Sequence, residues 1–181
     1  MAAPHNKNRY GEIWPQYRID CALKELKQLK DMIILSGGWA WHVMSPDGHI
    51  EYKHAHDHKD IDVFVYPDKV ADVVAKLKSR GFEKVWTKYD KHQSAEDFRR
   101  YEKVITTNDH HSVRITIDFF VNHVPYRLVK GWMVVEPEFL LGLYSNIHSS
   151  DKCFAVQAAV KLIAAGIDPV DRTELIEIPK T

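Results

Sequence analysis

No apolar stretch in this chain is long: each is short and broken by charge, well below the roughly 20 residues that a membrane-spanning helix requires. A soluble protein is therefore expected. Cysteine is scarce as well, with only Cys21 and Cys153, far apart and without ligand-like spacing. That excludes a disulfide framework or a Cys-X-X-Cys metal site and leaves two half-buried small apolar residues. Residues 1–16 are polar and lack the apolar core of a secretory signal, so the expected setting is reducing and cytoplasmic. Net charge is missing too: twenty-five basic residues offset twenty-five acidic ones. No global field draws the chain onto nucleic acid or an anionic membrane, and nucleic acid contact is left only to a local patch. There is no internal repeat and no low-complexity segment. A length of 181 residues suits one compact domain with a helical appendage.

What the chain does contain is clear periodicity. Ile19, Ala22, Leu23, Leu26 and Leu29 recur at helical spacing, with Lys24, Glu25, Lys27 and Gln28 turned away, predicting an amphipathic helix over 17–30. The apolar run 32–35 is too short for a helix. Bounded by Asp31 and by Ser36-Gly37-Gly38, it reads as a buried strand entering a glycine turn, with a short helix over 39–44. Residues 45–59 are a polar loop or hairpin around Pro46-Asp47-Gly48.

Ile61, Val63 and Val65 alternate with Asp60, Asp62 and Phe64, which predicts a strand with two unlike faces. Pro67 and Asp68 open a helix with the apolar face Val70, Val73, Val74 and Leu77, closed by Gly81. Strands are expected over 82–88 and 98–105 and a turn over 108–111. In the strand that follows, Val113, Ile115, Ile117 and Phe119 oppose Arg114, Thr116, Asp118 and Phe120. Short extended pieces over 126–129 and 133–135 precede helical stripes, first Phe139, Leu140, Leu143 and Tyr144, then Phe154, Ala158, Val160, Leu162 and Ile163. The tail over 167–181 reads as partly ordered at most. The fold class is α/β (α+β): a mixed, largely antiparallel β-sheet flanked by helices, with a core over 1–135 and a C-terminal helical segment of the same domain over 136–181.

The chemistry lies in the carboxylates. Alternation on a strand sets Asp60 and Asp62 side by side at the edge of the sheet, where they repel unless a cation sits between them, and Mg²⁺ prefers such hard oxygen ligands. The competing reading is a solvated strand end. Asp118 lies on the polar side of the apolar run Ile115-Thr116-Ile117-Asp118-Phe119-Phe120-Val121, where a lone carboxylate is costly to bury. If its strand neighbours that of Asp60, three carboxylates converge on a site for two cations about 4 Å apart. Otherwise Asp118 caps the Asn122-His123 turn. Ser36, Gly37 and Gly38, between a strand and a helix start, suit phosphate: glycine lets backbone approach closely, and the helix offers free N–H groups.

Leu35-Ser36-Gly37-Gly38-Trp39-Ala40, followed after a polar loop by His58-Lys59-Asp60-Ile61-Asp62-Val63, resembles the signature of the polymerase-β-like nucleotidyltransferase superfamily. It looks most like the small aminoglycoside and lincosamide nucleotidyltransferases, with Gly-Gly-Trp-Ala and then His-X-Asp-X-Asp. The resemblance covers 32–121. It implies that Asp60, Asp62 and Asp118 are the catalytic carboxylates and hold Mg²⁺, or Mn²⁺ in its place. It further implies that Ser36, Gly37, Gly38 and His58 bind a nucleoside triphosphate, and that a nucleotide passes to a hydroxyl acceptor with release of pyrophosphate. Glu136-Pro137-Glu138-Phe139-Leu140 and the helix of Lys152 are similar to the family's C-terminal helical segment. Lys152 is followed here by Cys153 rather than by Asp, a departure from the family's pattern at a position tied to triphosphate contact.

Balanced charge leans the acceptor toward a small molecule rather than nucleic acid. RNA or protein as acceptor, or a nucleotide-binding module without catalysis, are the alternatives. His54, His56 and His58 have a spacing that suits zinc, yet they read better as loop histidines, with His58 orienting Asp60 or touching phosphate. Trp39 and Trp41 read as core or as stacking rings, with core favoured for Trp39. Arg99, Arg100, Lys103, Arg114 and Arg127 read as the solvated face of an antiparallel sheet in preference to a phosphate surface.

Overall fold

The computed structural model describes residues 15–44, 60–91 and 97–145. The histidine-containing loop with His58, and the C-terminal stretch with Lys152, Cys153 and the second helical stripe, lie outside the described residues. In chain order the elements are α1 (Gln16–Leu26), β1 (Ile34–Leu35), α2 (Gly37–Met44), β2 (Asp60–Val65), a 3-10 turn (Pro67–Lys69), α3 (Val70–Ser79), β3 (Glu83–Val85), a second 3-10 turn (Lys88–Lys91), β4 (Phe98–Thr106), β5 (Ser112–Val121), β6 (Tyr126–Val129), β7 (Trp132–Val135) and α4 (Pro137–Ser145). Among the described residues no helix is long and apolar enough to cross a membrane.

Seven strands form one sheet in the order β3-β4-β5-β2-β1-β7-β6. The β2–β5 and β1–β7 pairs are parallel and the other four are antiparallel, which is the mixed, largely antiparallel sheet expected. β5 is the longest strand and β2 lies beside it in the interior of the sheet, so Asp60 and Asp62 stand on an inner strand rather than at a sheet edge.

Period-2 alternation gives the central strands two different faces. On one, Ile61, Val63 and Val65 of β2 join Ile115, Ile117 and Phe119 of β5 and Tyr101 of β4, all buried. Removing each such side chain from water contributes about 1.5–3 kcal/mol, enough to fix the register, since a one-residue slip would turn the whole set outward. Helix α1 covers this face with Ile19, Ala22 and Leu26. On the other face α4 sets Phe139 edge-on to Phe64, 6.3 Å between ring centroids.

Two local expectations are corrected. Helix α1 ends at Leu26 rather than at Lys30, because i to i−3 bonds, Leu29 N–H to Leu26 O (2.9 Å) and Met32 N–H to Leu29 O (2.8 Å), tighten the chain into turns that lead to β1. Leu29 nonetheless remains in the core. Glu25, expected on the outward side of α1, is 3% exposed. It is stabilised there by Arg80, just past the end of α3, with Nε to Oε2 at 3.0 Å, and by Lys103 of β4, with Nζ to Oε1 at 2.9 Å.

Candidate active site

The site begins with strand register. β2 and β5 run parallel with Asp60 opposite Thr116 and Asp62 opposite Asp118, while β4 places Arg100 opposite Asp118. Residues paired across a ladder project to the same face. Asp60, Asp62, Asp118 and Arg100 therefore share one face of three adjacent strands, away from α1. Antiparallel pairing of Ile34 with Phe64 and Leu35 with Val63 continues as a 2.9 Å bond from Ser36 N–H to the Asp62 carbonyl. One row thus crosses the sheet from Ser36 through Asp62 and Asp118 to Arg100.

Ser36 closes β1 and also starts α2: its carbonyl accepts from Ala40 N–H at 3.1 Å. Between them Gly37 has φ +57°, a left-handed conformation that glycine adopts without penalty. A β-carbon at Gly37 would collide with Asp62 Oδ2 and lie 3.2 Å from Asp62 Cγ. The turn thus brings its backbone directly against the Asp62 carboxylate. Gly37 and Gly38 are the first residues of α2, where N–H groups have no acceptor one helical turn earlier. Trp39 and Trp41 are both buried and belong to the core, with the Trp39 ring 5.3 Å from that of His42.

Burial differs sharply among the three acids. Asp118 is 5% exposed, and both its oxygens are taken by Arg100, Nε to Oδ1 at 2.7 Å and Nη2 to Oδ2 at 2.6 Å. This is a fork-to-fork pair, and Arg100 Nη2 also reaches Asp60 Oδ2 at 3.5 Å. The Asp60 side chain is 51% exposed and that of Arg100 28%. Hydrogen bonding to Asp118 holds the guanidinium above its ordinary range, against burial, with the charges of Asp118, Asp60 and Glu102 adding to the effect. Among the described residues, no three His, Cys, Asp or Glu side chains form a ready-made metal-holding group. The structure brings Asp60, Asp62 and Asp118 to one face and inserts a guanidinium among them.

The basic residues read as one solvated face are thus sorted differently. Arg100 joins the acids, and Lys103 turns to the opposite face and Glu25. Arg99 lies over the Phe119 ring, Arg114 pairs with Glu102 at 3.2 Å and Arg127 with Glu136 at 3.3 Å. Arg100 is the site residue that pattern reading missed. A signal existed, since Arg100 and Asp118 stand equally far from the Thr106–Ser112 end of one hairpin.

No protein-family model matches the chain, and no curated protein matches it. Among solved structures the chain is similar to JHP933 from Helicobacter pylori, at 14% identity and a TM-score of 0.50, over 72% of this chain and 56% of that one. This chain spans little more than half of JHP933, and the likeness is one of fold. Similarity extends to LnuA, a lincosamide antibiotic adenylyltransferase crystallised with lincomycin, at 14% identity and a TM-score of 0.47, over 82% of this chain and 98% of that one.

Proposed function

We propose that the chain is a magnesium-dependent nucleotidyltransferase that moves a nucleoside monophosphate from a nucleoside triphosphate to the hydroxyl of a small-molecule acceptor. The observation that carries this reading is the register of β2 with β5: Asp62 stands opposite Asp118, Asp60 lies on the same face, and the glycine start of α2 abuts Asp62. The donor chemistry fits a hard cation, because all three acidic side chains on this face are carboxylates. Asp60, Asp62 and Asp118 would hold Mg²⁺, or Mn²⁺ in its place. When bound, the ion supplies neutralising charge for the triphosphate and for the departing pyrophosphate.

The remaining roles belong to the chain. Ser36, Gly37 and Gly38 hold phosphate oxygens at the start of α2, and His58 orients Asp60 or touches phosphate. The acceptor oxygen attacks the α-phosphorus in line, the bond from that phosphorus to the bridging oxygen of the β-phosphate breaks, and pyrophosphate leaves. Asp118 takes the proton of the attacking hydroxyl. Balanced net charge favours a small acceptor over nucleic acid, and a cytoplasmic setting accords with the supply of triphosphates.

One observation favours a second reading. Arg100 occupies both oxygens of Asp118, as suits a module that binds nucleotide without transferring it. Incubating the full chain with each labelled triphosphate, Mg²⁺ or Mn²⁺ and pooled hydroxylated acceptors, and measuring pyrophosphate, separates the two. Release that vanishes in Asp62→Ala supports transfer. Nucleotide binding without release under any combination overturns it.

A further inference from the structure

We propose that Arg100 is a positioning residue that acts as a built-in counter-cation, competing with the divalent ion for Asp118 and yielding only when a triphosphate offers its guanidinium other acceptors. This rests on the nucleotidyltransferase reading above. It concerns a residue outside the glycine turn and the Asp-X-Asp motif.

Three observations carry it. Arg100 Nε and Nη2 engage the two oxygens of Asp118 at 2.7 and 2.6 Å, so the fork takes one lone pair on each and a cation that binds both oxygens at once must displace it. Asp118 is buried and stands opposite Asp62, where two like charges need a cation nearby, and Arg100 Nη2 lies 3.5 Å from Asp60 as well. The guanidinium does not lose its proton in proteins, so it gives up Asp118 by moving rather than by titrating. Its side chain is 28% exposed, unlike the acid it holds, so movement does not require opening the core.

Exchange has a direct thermodynamic consequence. An ion arriving alone must displace a bidentate charge-assisted pair and leave a cation next to a cation, which weakens its binding. An ion arriving with a triphosphate gives Arg100 phosphate oxygens in the geometry that a guanidinium fork matches. Metal and nucleotide therefore bind with positive coupling, and the coupling is reciprocal. A purely structural Arg100 leaves only the coupling that phosphate oxygens supply by ligating the ion themselves, equal in wild type and variants.

The test is Mn²⁺ binding to the full chain, followed by electron paramagnetic resonance, with and without a non-hydrolysable triphosphate analogue, and without any turnover. Wild type is expected to bind Mn²⁺ weakly alone and about tenfold more tightly with the analogue, within the usual range of such couplings. Arg100→Gln should bind Mn²⁺ alone about tenfold more tightly than wild type, and the analogue should add less than it does in wild type. Arg100→Lys, which keeps the charge but lacks the fork, should fall between them. It also serves alone if the glutamine variant fails to fold. Equal Mn²⁺ affinity in wild type and the folded Arg100 variants overturns the proposal while leaving the metal site standing. If none of them binds Mn²⁺ even with the analogue, the nucleotidyltransferase reading fails, and this proposal with it.

Discussion

The Asp62 carboxylate rests against Gly37, so closely that a β-carbon on the glycine has no room beside Oδ2. Gly37→Ala combines this collision with a backbone at φ +57°, whereas Gly81→Ala meets only an unfavourable φ of +81° with nothing within 4 Å of the new carbon. Conformation alone should cost the second variant about 1 kcal/mol. Gly37→Ala should lose about 2–3 kcal/mol, because contact is added to strain, and should weaken triphosphate binding by displacing Asp62. Urea unfolding and nucleotide titration of the two variants check this. Equal losses of stability, with nucleotide affinity intact in both, would remove Gly37 from the site.

Asp118→Asn keeps the shape of the side chain but removes the charge that Arg100 grips through two hydrogen bonds. An amide turns an N–H₂ group toward the guanidinium, so one of the two bonds is lost. Stability should fall by about 1–3 kcal/mol, as for a buried charged group deprived of its partner. Turnover should fall about 10²- to 10⁴-fold if Asp118 takes the acceptor's proton. Much of the nucleotide affinity should survive, since Ser36 and the α2 glycines are unchanged. Thermal unfolding and pyrophosphate release measure the two effects separately, and full activity in the variant would refute the role given to Asp118.

Ile117 tests the fold apart from the chemistry. It is fully buried on the apolar side of β5, opposite Ile61 and Tyr101 in the two neighbouring strands. Ile117→Ala should cost about 2–5 kcal/mol, by lost burial plus the cavity left behind. Its side chain points away from Asp118, so Mn²⁺ affinity of the folded variant should match wild type. A large change in that affinity would mean that the two faces are coupled.

Much of this arrangement is legible in the sequence because its determinants are local. Alternation of Ile61, Val63 and Val65 with two aspartates defines β2 and its faces, and the same period puts Asp118 on the polar side of β5. Adjacency of β2 and β5 is a different matter: helix α3 and two further strands lie between them in the chain, and no local pattern sets the register of a parallel pair so far apart. Charge sorting is not legible either. Arg99 and Arg100 are neighbours in sequence, yet pleating sends one over the Phe119 ring and the other to Asp118. In sequence Glu25 is one more polar residue on a helix surface, because Lys103 and Arg80, which make its burial tolerable, come from β4 and from the residue after α3.

That buried carboxylate gives the stability an acid dependence. Burial by itself pushes the Glu25 carboxyl up, but hydrogen bonds from Arg80 and Lys103, together with their charges, outweigh it and leave the group below its ordinary value of 4.5. A carboxyl lowered in the folded state adds stability that is complete above the unfolded value and is lost as pH falls through the folded one. Wild type should therefore lose stability as pH drops below about 4.5, steadily and without a plateau until Glu25 is protonated. Glu25→Gln should be less stable at neutral pH by about 2 kcal/mol, since Arg80 and Lys103 keep their charges without a counter-charge. Its stability should change less steeply in acid than that of wild type. The two urea-midpoint curves should converge as pH falls, and curves that stay parallel from neutral pH down would mean that Glu25 contributes no linked proton to folding.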